Sequence, residues 1–271
     1  MLKRFILFLL MLCLLLPCAF AEPVPESAGM DWQENDPWPH AIRNGDRNQH
    51  RVAVTMDDCY EFEYVKKAWE LISSYGGSIT FYPVGDLLKE DKVSQADREM
   101  WQAIAASSSE IGTHTHHHKR MTKETQFNQI LYSKYPQHVI DHLLGYHYPL
   151  RTLRPPFGSH DAVFQKQLEK VGYTHVILWD VDSTDADEVK KNVQNGSIIL
   201  FHARKADWYC LQKVIPWLAE QGYEMVTISE LLNLPPLEPT DEIFDWSVRK
   251  TEYLNKYVNS QSKFHSEKEW K

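Results

Sequence analysis

The sequence predicts an α/β fold, a small distorted (β/α) barrel of about seven parallel strands. Two observations predict it. From Arg51 onward, short apolar runs alternate with stretches of helical periodicity, and strands separated by helices pair in parallel through right-handed crossovers. About seven such units fill roughly 185 residues, short of the eight of a complete barrel.

The strands in order are Val52–Met56, Ser78–Val84, Glu110–Thr113, Thr152–Arg154, Tyr173–Trp179, Ser197–Phe201 and Glu224–Ile228. Helical stretches separate them at Glu61–Tyr75, Gln95–Ala106, Lys123–Leu144, Asp161–Val171 and Asp207–Gln221. Gly76, Gly172 and Gly222 follow helix ends, where the closing turn asks for left-handed backbone. Residues 51–234 form this domain. Before it, residues 22–50 are rich in Pro, Glu, Asp and Asn with scattered Trp, and read as an extended segment. After it, residues 235–271 comprise a proline-rich linker (Pro235-Pro236-Leu237-Glu238-Pro239), an amphipathic helix over Asp241–Val258 and a polar tail.

Residues 1–21 read as a removable export signal. Lys3 and Arg4 supply a positive start, Phe5–Leu16 is an apolar run, and Ala19-Phe20-Ala21 is a cleavage pattern. The run is shorter than the ~20 apolar residues that span a bilayer, so no integral membrane domain is expected after cleavage. Cys18 raises a lipoprotein alternative that Pro17 fits poorly. The whole chain carries a net charge of −8; removal of Lys3 and Arg4, with no acidic residue in the segment, gives −10. An acidic exported chain without a basic run is not built for nucleic acid. Cys59 and Cys210 remain after cleavage, either as one disulfide or as two thiols.

In a barrel of this kind the chemistry sits at the C-terminal ends of the strands, and five of these ends carry ionisable groups. The first runs into Asp57-Asp58-Cys59. Adjacent carboxylates repel, so the pair is either a solvated turn or calls for a cation or a raised pKa. The third runs into His114-Thr115-His116-His117-His118. On a helical turn His114 and His118 share a face and can meet one ion, leaving His116 and His117 pointing elsewhere. The fourth ends in Arg154-Pro155-Pro156-Phe157-Gly158, a rigid turn. The fifth ends in Trp179-Asp180-Val181-Asp182-Ser183-Thr184-Asp185, which reads equally as a helix cap. The sixth delivers His202. One such end is commonplace; five in phase on one rim argue for a site.

In these residues the chain resembles the polysaccharide deacetylases, the NodB-homology domain of carbohydrate esterase family four, across about residues 51–232. Thr55-Met56-Asp57-Asp58-Cys59 is similar to T-F-D-D-G, His114 to His118 to H-[ST]-x-x-H, Arg154 to Gly158 to R-P-P-[FY]-G, Trp179 to Asp185 to W-x-V-D-[ST]-x-D, and Leu200-Phe201-His202 to L-x-H. The resemblance implies a NodB-like fold. It implies a divalent metal, with zinc expected, on Asp58, His114 and His118. It makes Asp57 the general base and His202 the general acid. The Phe157 N–H would face the oxyanion, Arg154 would orient Asp57, and Asp182 would hold His202. Leu200 and Trp179 would line the substrate pocket. The implied activity is metal-dependent deacetylation of an acetylated glycan, with N-acetyl sugars first. An O-acetyl esterase of xylan-like glycans and a non-catalytic glycan-binding module are the alternatives.

Two departures from the family pattern stand out. Cys59 replaces a glycine, tightening the turn or placing a thiol near the metal. Ala186 replaces a tryptophan, leaving Trp179 or Trp208 to wall the groove.

Overall fold

The computed structural model describes residues 40–257; the expected export signal, most of the extended segment and the polar tail lie outside them. Nine strands run β1 His40–Ile42, β2 Arg51–Asp58, β3 Thr80–Pro83, β4 Glu110–Ile111, β5 Thr152–Leu153, β6 His175–Ile177, β7 Val181–Asp182, β8 Ile198–His202 and β9 Glu224–Val226. The helices between and after them are α1 Phe62–Ser74, α2 Gln95–Ala105, α3 Gln126–Leu144, α4 Ala162–Lys170, α5 Ala186–Asn192, α6 Lys205–Glu220, α7 Ile228–Leu231 and α8 Trp246–Tyr257.

All the strand ladders are parallel, as the alternation predicts. One sheet has the order β1-β6-β5 and the other β4-β3-β2-β8-β7, with β9 also on β2. A lone parallel bridge from Thr113 to Leu153 joins them, and the result is an incomplete barrel. β1 pairs with β6, so the barrel draws on residues before Arg51. Three residues of strand carry too little period to be read from sequence.

Period-two alternation along β2 sorts its side chains. Val52, Val54 and Met56 join the layer beneath α1 and α6, with Ala68, Ile72, Leu211 and Val214. Ala53 joins Ile42, Tyr82, Ile177, Ile198 and Val226 in the barrel interior. By the same parity Thr55 and Asp57 turn inward, and both are buried. Every methylene in the outer layer removes apolar surface from water at about 25 cal/mol per Å², and this packing holds the strand ends in fixed relation.

Several boundaries follow from caps. Helix α3 begins at Gln126 rather than Lys123 because the Thr125 side chain accepts from Asn128 N–H. The last strand stops at Val226 because Thr227 caps α7 in a capping box with Glu230. Helix α3 also keeps Pro136 in its interior. Proline has no N–H, so the carbonyl four residues earlier, that of Tyr132, loses its helical partner. That carbonyl accepts the His116 N–H at 2.7 Å instead, and so ties the histidine loop to the helix.

Candidate active site

The end of β2 is strained. Cys59 N–H donates to the Asp57 carbonyl at 2.7 Å, closing a three-residue turn with Asp58 at its centre. Asp58 has φ +63° and Cys59 φ +61°, values that side-chain-bearing residues rarely adopt. In a straight strand the two carboxylates would leave opposite faces; the turn brings both to one rim. The positive φ at Cys59 is the physical reason a glycine suits that position. The Cys59 thiol is fully buried, lies 3.8 Å from the Met56 carbonyl and is pushed up by burial and by Asp57 and Asp58. It packs in the outer apolar layer and is not among the ligand atoms that converge with those of Asp58, His114 and His118, and neither Cys59 nor Cys210 forms a disulfide.

The histidine stretch is a loop and not the helical turn expected from its spacing. Thr115 sits at φ +66°, and backbone hydrogen bonds from Gly85 N–H to the Thr115 carbonyl and from Asp86 N–H to the His116 carbonyl hold the loop open. The loop still brings His114 and His118 together, with rings 5.2 Å apart. Their Nε2 atoms lie 3.5 and 3.2 Å from Asp58 Oδ1. His114 Nδ1 lies 2.7 Å from the Arg154 carbonyl. A carbonyl only accepts, so Nδ1 carries the proton and the Nε2 lone pair faces Asp58. Burial lowers the His114 pKa despite Asp57 and Asp58, which keeps the ring neutral and able to ligate.

These residues fit a divalent cation. Asp58 Oδ1 is buried with no hydrogen-bond partner among the described residues, and it faces the Nε2 atoms of two imidazoles. The ligand atoms of Asp58, His114 and His118 all lie within 4.8 Å of one another. Two imidazoles and a carboxylate with open positions are the donor set of a catalytic zinc site.

Asp57 lies at the floor. Arg154 is fully buried and its Nη1 donates to Asp57 Oδ1 and to Thr55 Oγ1, each at 2.7 Å. Its Nη2 donates to the Leu178 carbonyl at 3.1 Å, and the guanidinium lies 4.5 Å from the Tyr82 ring centroid. Tyr82 in turn presses on Gly112, where an added Cβ would meet the ring at 2.4 Å, so glycine is required there. The stack fixes Arg154, and Arg154 fixes Asp57.

His202 is the register partner of Asp57 across the β2–β8 ladder, where neighbouring strands lie about 4.8 Å apart. Leu200, one pleat below, pairs with Thr55 and is buried. Asp182 does not hold His202. Its register partner is Leu200 rather than His202, and it is exposed. The carboxylate beside the histidine is Asp207, at the third position of α6. Asp207 Oδ1 accepts the His202 backbone N–H at 2.9 Å and lies 3.7 Å from His202 Nδ1, an ion-pair distance. Arg204 Nε donates to the other oxygen. Burial opposes protonation of His202, but Asp207, Asp57 and Asp58 outweigh it and hold the ring above its ordinary pKa. Sequence reasoning missed Asp207 because an acid in the first turn of a helix ordinarily complements the helix dipole.

Phe157 forms the outer lip, 56% exposed and at φ +61°. Its ring meets His118 edge-on at 4.5 Å. Trp179 packs against Gly158, where a Cβ would touch the indole at 3.2 Å. Ala186 is buried at the start of α5.

His116 and His117 stand apart from the first group and form a second one with Asp86, their ligand atoms also within 4.8 Å. His116 is fully buried, and burial, with the neighbouring His117, pushes its pKa down to about 2. Lys89 and Lys92 already pair with Asp86. A carboxylate neutralised by two ammonium groups is a poor ligand for a dication.

Known proteins resemble this chain over the same domain. Residues 44–176 match the family described as polysaccharide deacetylase. A peptidoglycan-N-acetylglucosamine deacetylase of Bacillus cereus is 30% identical over 205 residues, covering 68% of this chain and 89% of the relative. The peptidoglycan-N-acetylmuramic acid deacetylase PdaC of Bacillus subtilis is 27% identical over 69% of this chain, which spans only 39% of that longer protein. Among solved structures, a CE4 family pseudoenzyme from Bacillus anthracis superposes with a TM-score of 0.64 at 22% identity, covering 73% of this chain and 72% of that one. The last shows the fold.

Proposed function

Because the chain belongs to the polysaccharide deacetylase family, we propose that it is an exported, zinc-dependent enzyme that removes acetyl groups from a cell-envelope or extracellular glycan, foremost the N-acetyl groups of GlcNAc-type sugars. The convergence of Asp58, His114 and His118 beside a buried Asp57–Arg154 pair is the observation that supports this reading most. Relatives named for N-acetylglucosamine and N-acetylmuramic acid in peptidoglycan favour the amide substrate.

Asp58, His114 and His118 hold the cation. When bound there it supplies positive charge that acidifies water and polarises the acetyl carbonyl. Asp57, aimed by Arg154, accepts the proton of the attacking water. The Phe157 N–H is offered to the developing oxyanion. His202, whose charged form is favoured by Asp207, donates its proton to the departing nitrogen. Leu200 and Trp179 border the acetyl group.

His202 must be protonated to act as an acid. Its charge is favoured by Asp57, Asp58 and Asp207, and a bound cation cancels much of what Asp58 contributes. Asp207→Asn therefore lowers the His202 pKa, and the descending limb of the kcat–pH profile moves to lower pH. A profile with an unmoved descending limb would detach Asp207 from the acid.

The proposal itself is tested by acetate release from a panel of N- and O-acetylated glycans, with and without added Zn²⁺ or Co²⁺ and with a chelator. Release from N-acetyl sugars that stops on chelation is expected. Release from O-acetyl xylan alone would point to an esterase, and none from any glycan to a binding module.

A further inference from the structure

We propose that the segment from Thr240 to Trp246 is a strap across α3 that holds the histidine loop in its ligating shape, with Trp246 and Tyr135 as positioning residues for the cation. This rests on the deacetylase reading, whose metal site it concerns. The strap lies beyond residues 44–176, the stretch that matches the family.

The strap is tied at three points. Thr240 and His147 form an antiparallel bridge and exchange both backbone hydrogen bonds, at 2.7 and 3.1 Å. Phe244 N–H donates to Asp141 Oδ2 at 2.7 Å, and the same oxygen accepts from His147 Nδ1 at 2.7 Å. Trp246 N–H donates to His138 Nδ1 at 3.3 Å. Asp141 is fully buried on α3, where a carboxylate needs such partners in place of water. The Asp245 carboxylate accepts the Ser247 N–H at 2.8 Å, so α8 opens at Trp246, and the indole is buried in the main core.

A row of rings leads from the strap to the histidine loop. Trp246 meets Tyr135 edge-on with centroids 6.1 Å apart, and Tyr135 meets His116 edge-on at 4.5 Å. Both spacings lie in the range where aromatic pairs attract. His116 is two residues from His114 and two from His118. Its backbone N–H reaches the Tyr132 carbonyl on α3 at 2.7 Å. Ring and amide thus anchor the loop midway between the two ligands, and Trp246 braces the ring on which His116 leans. Ligands on a loop bind a cation tightly when the loop is ordered beforehand. Disturbing the groups that orient them typically costs about 10–100-fold in metal affinity.

The test uses the full-length protein and zinc alone, with Kd read by competition against a chromogenic chelator well below the melting temperature. Trp246→Ala raises the zinc Kd roughly tenfold, and Trp246→Phe, which keeps a ring beside Tyr135, restores most of it. Leu218→Ala, a fully buried core deletion on α6, lowers the melting temperature without moving Kd. Tyr135→Leu raises Kd by the same factor as Trp246→Ala, and the double variant raises it no further, because both break one path. An unchanged Kd in Trp246→Ala, the same rise in Leu218→Ala, or additive losses in the double variant would overturn the strap. A second arm follows hydrogen exchange in the metal-free protein at the His116 and Asp86 amides, which tie the loop to α3 and to the turn after β3. Exchange there is faster in Trp246→Ala than in wild type or Leu218→Ala, and equal exchange rejects the proposal. A wild type that takes up no zinc removes the metal site, and the exchange arm still decides whether the strap holds the loop. Should Trp246→Ala not fold, Tyr135→Leu carries both arms.

Discussion

Asp57→Asn lowers kcat by roughly 10²–10⁴-fold, the range general bases contribute, while the protein still takes up one equivalent of divalent cation. The substitution removes a proton acceptor and almost no volume. The amide that replaces the carboxylate keeps an oxygen for the Arg154 Nη1 hydrogen bond seen at 2.7 Å. Asp58, His114 and His118 are untouched. The variant does lose the negative charge beside a fully buried guanidinium, and breaking one side of such a pair costs about 3–5 kcal/mol. Activity is therefore measured well below the melting temperature, with zinc content determined on the same sample. Turnover within tenfold of the wild type would place the base elsewhere.

Arg154→Met has the largest effect on stability. The guanidinium has hydrogen bonds to Asp57, Thr55 and the carbonyls of Leu178 and Ile177, and it is covered by Tyr82 and Trp179. Met fills much of the volume but leaves Asp57 and the carbonyls without their donor. A loss of about 3–5 kcal/mol is expected in urea unfolding of the metal-free protein, a large part of the 5–15 kcal/mol typical of a domain. Zinc reverses part of the loss, because a cation on Asp58, His114 and His118 supplies positive charge near the orphaned Asp57. The zinc-induced shift in the unfolding midpoint is accordingly larger in the variant than in the wild type. A loss under 1 kcal/mol, or equal zinc shifts, would mean that Arg154 does not organise the floor. Arg154→Lys does not rescue it, since one ammonium has no planar fork to reach these acceptors.

The fold and the rim were legible because they rest on local pattern. The apolar run of β2 announces a buried strand, and its phase places Asp57 and Asp58 at the strand end, just as Leu200-Phe201-His202 places the histidine on β8. What was not legible depends on pairing between distant segments. His40-Ala41-Ile42 is a strand only because β6 lies beside it. Asp182 sits in the right motif but the wrong register, and the carboxylate near His202 comes from α6, where nothing in the local sequence separates it from an ordinary first-turn acid. The spacing of the histidine run predicts a helical turn, because spacing alone carries that periodicity. The turn at Thr115 and the carbonyl that Pro136 releases on α3 decide otherwise. Cys59 left two readings open, and its burial and positive φ resolve them in favour of packing.

A zinc-edge anomalous difference map from crystals of the zinc-loaded protein locates the bound ion. One strong peak is expected about 2.0–2.2 Å from Nε2 of His114, Nε2 of His118 and a carboxylate oxygen of Asp58, with Asp57 beside it but not bound. A peak between Asp86, His116 and His117 with none at Asp58, or a peak on Cys59 Sγ, would contradict it.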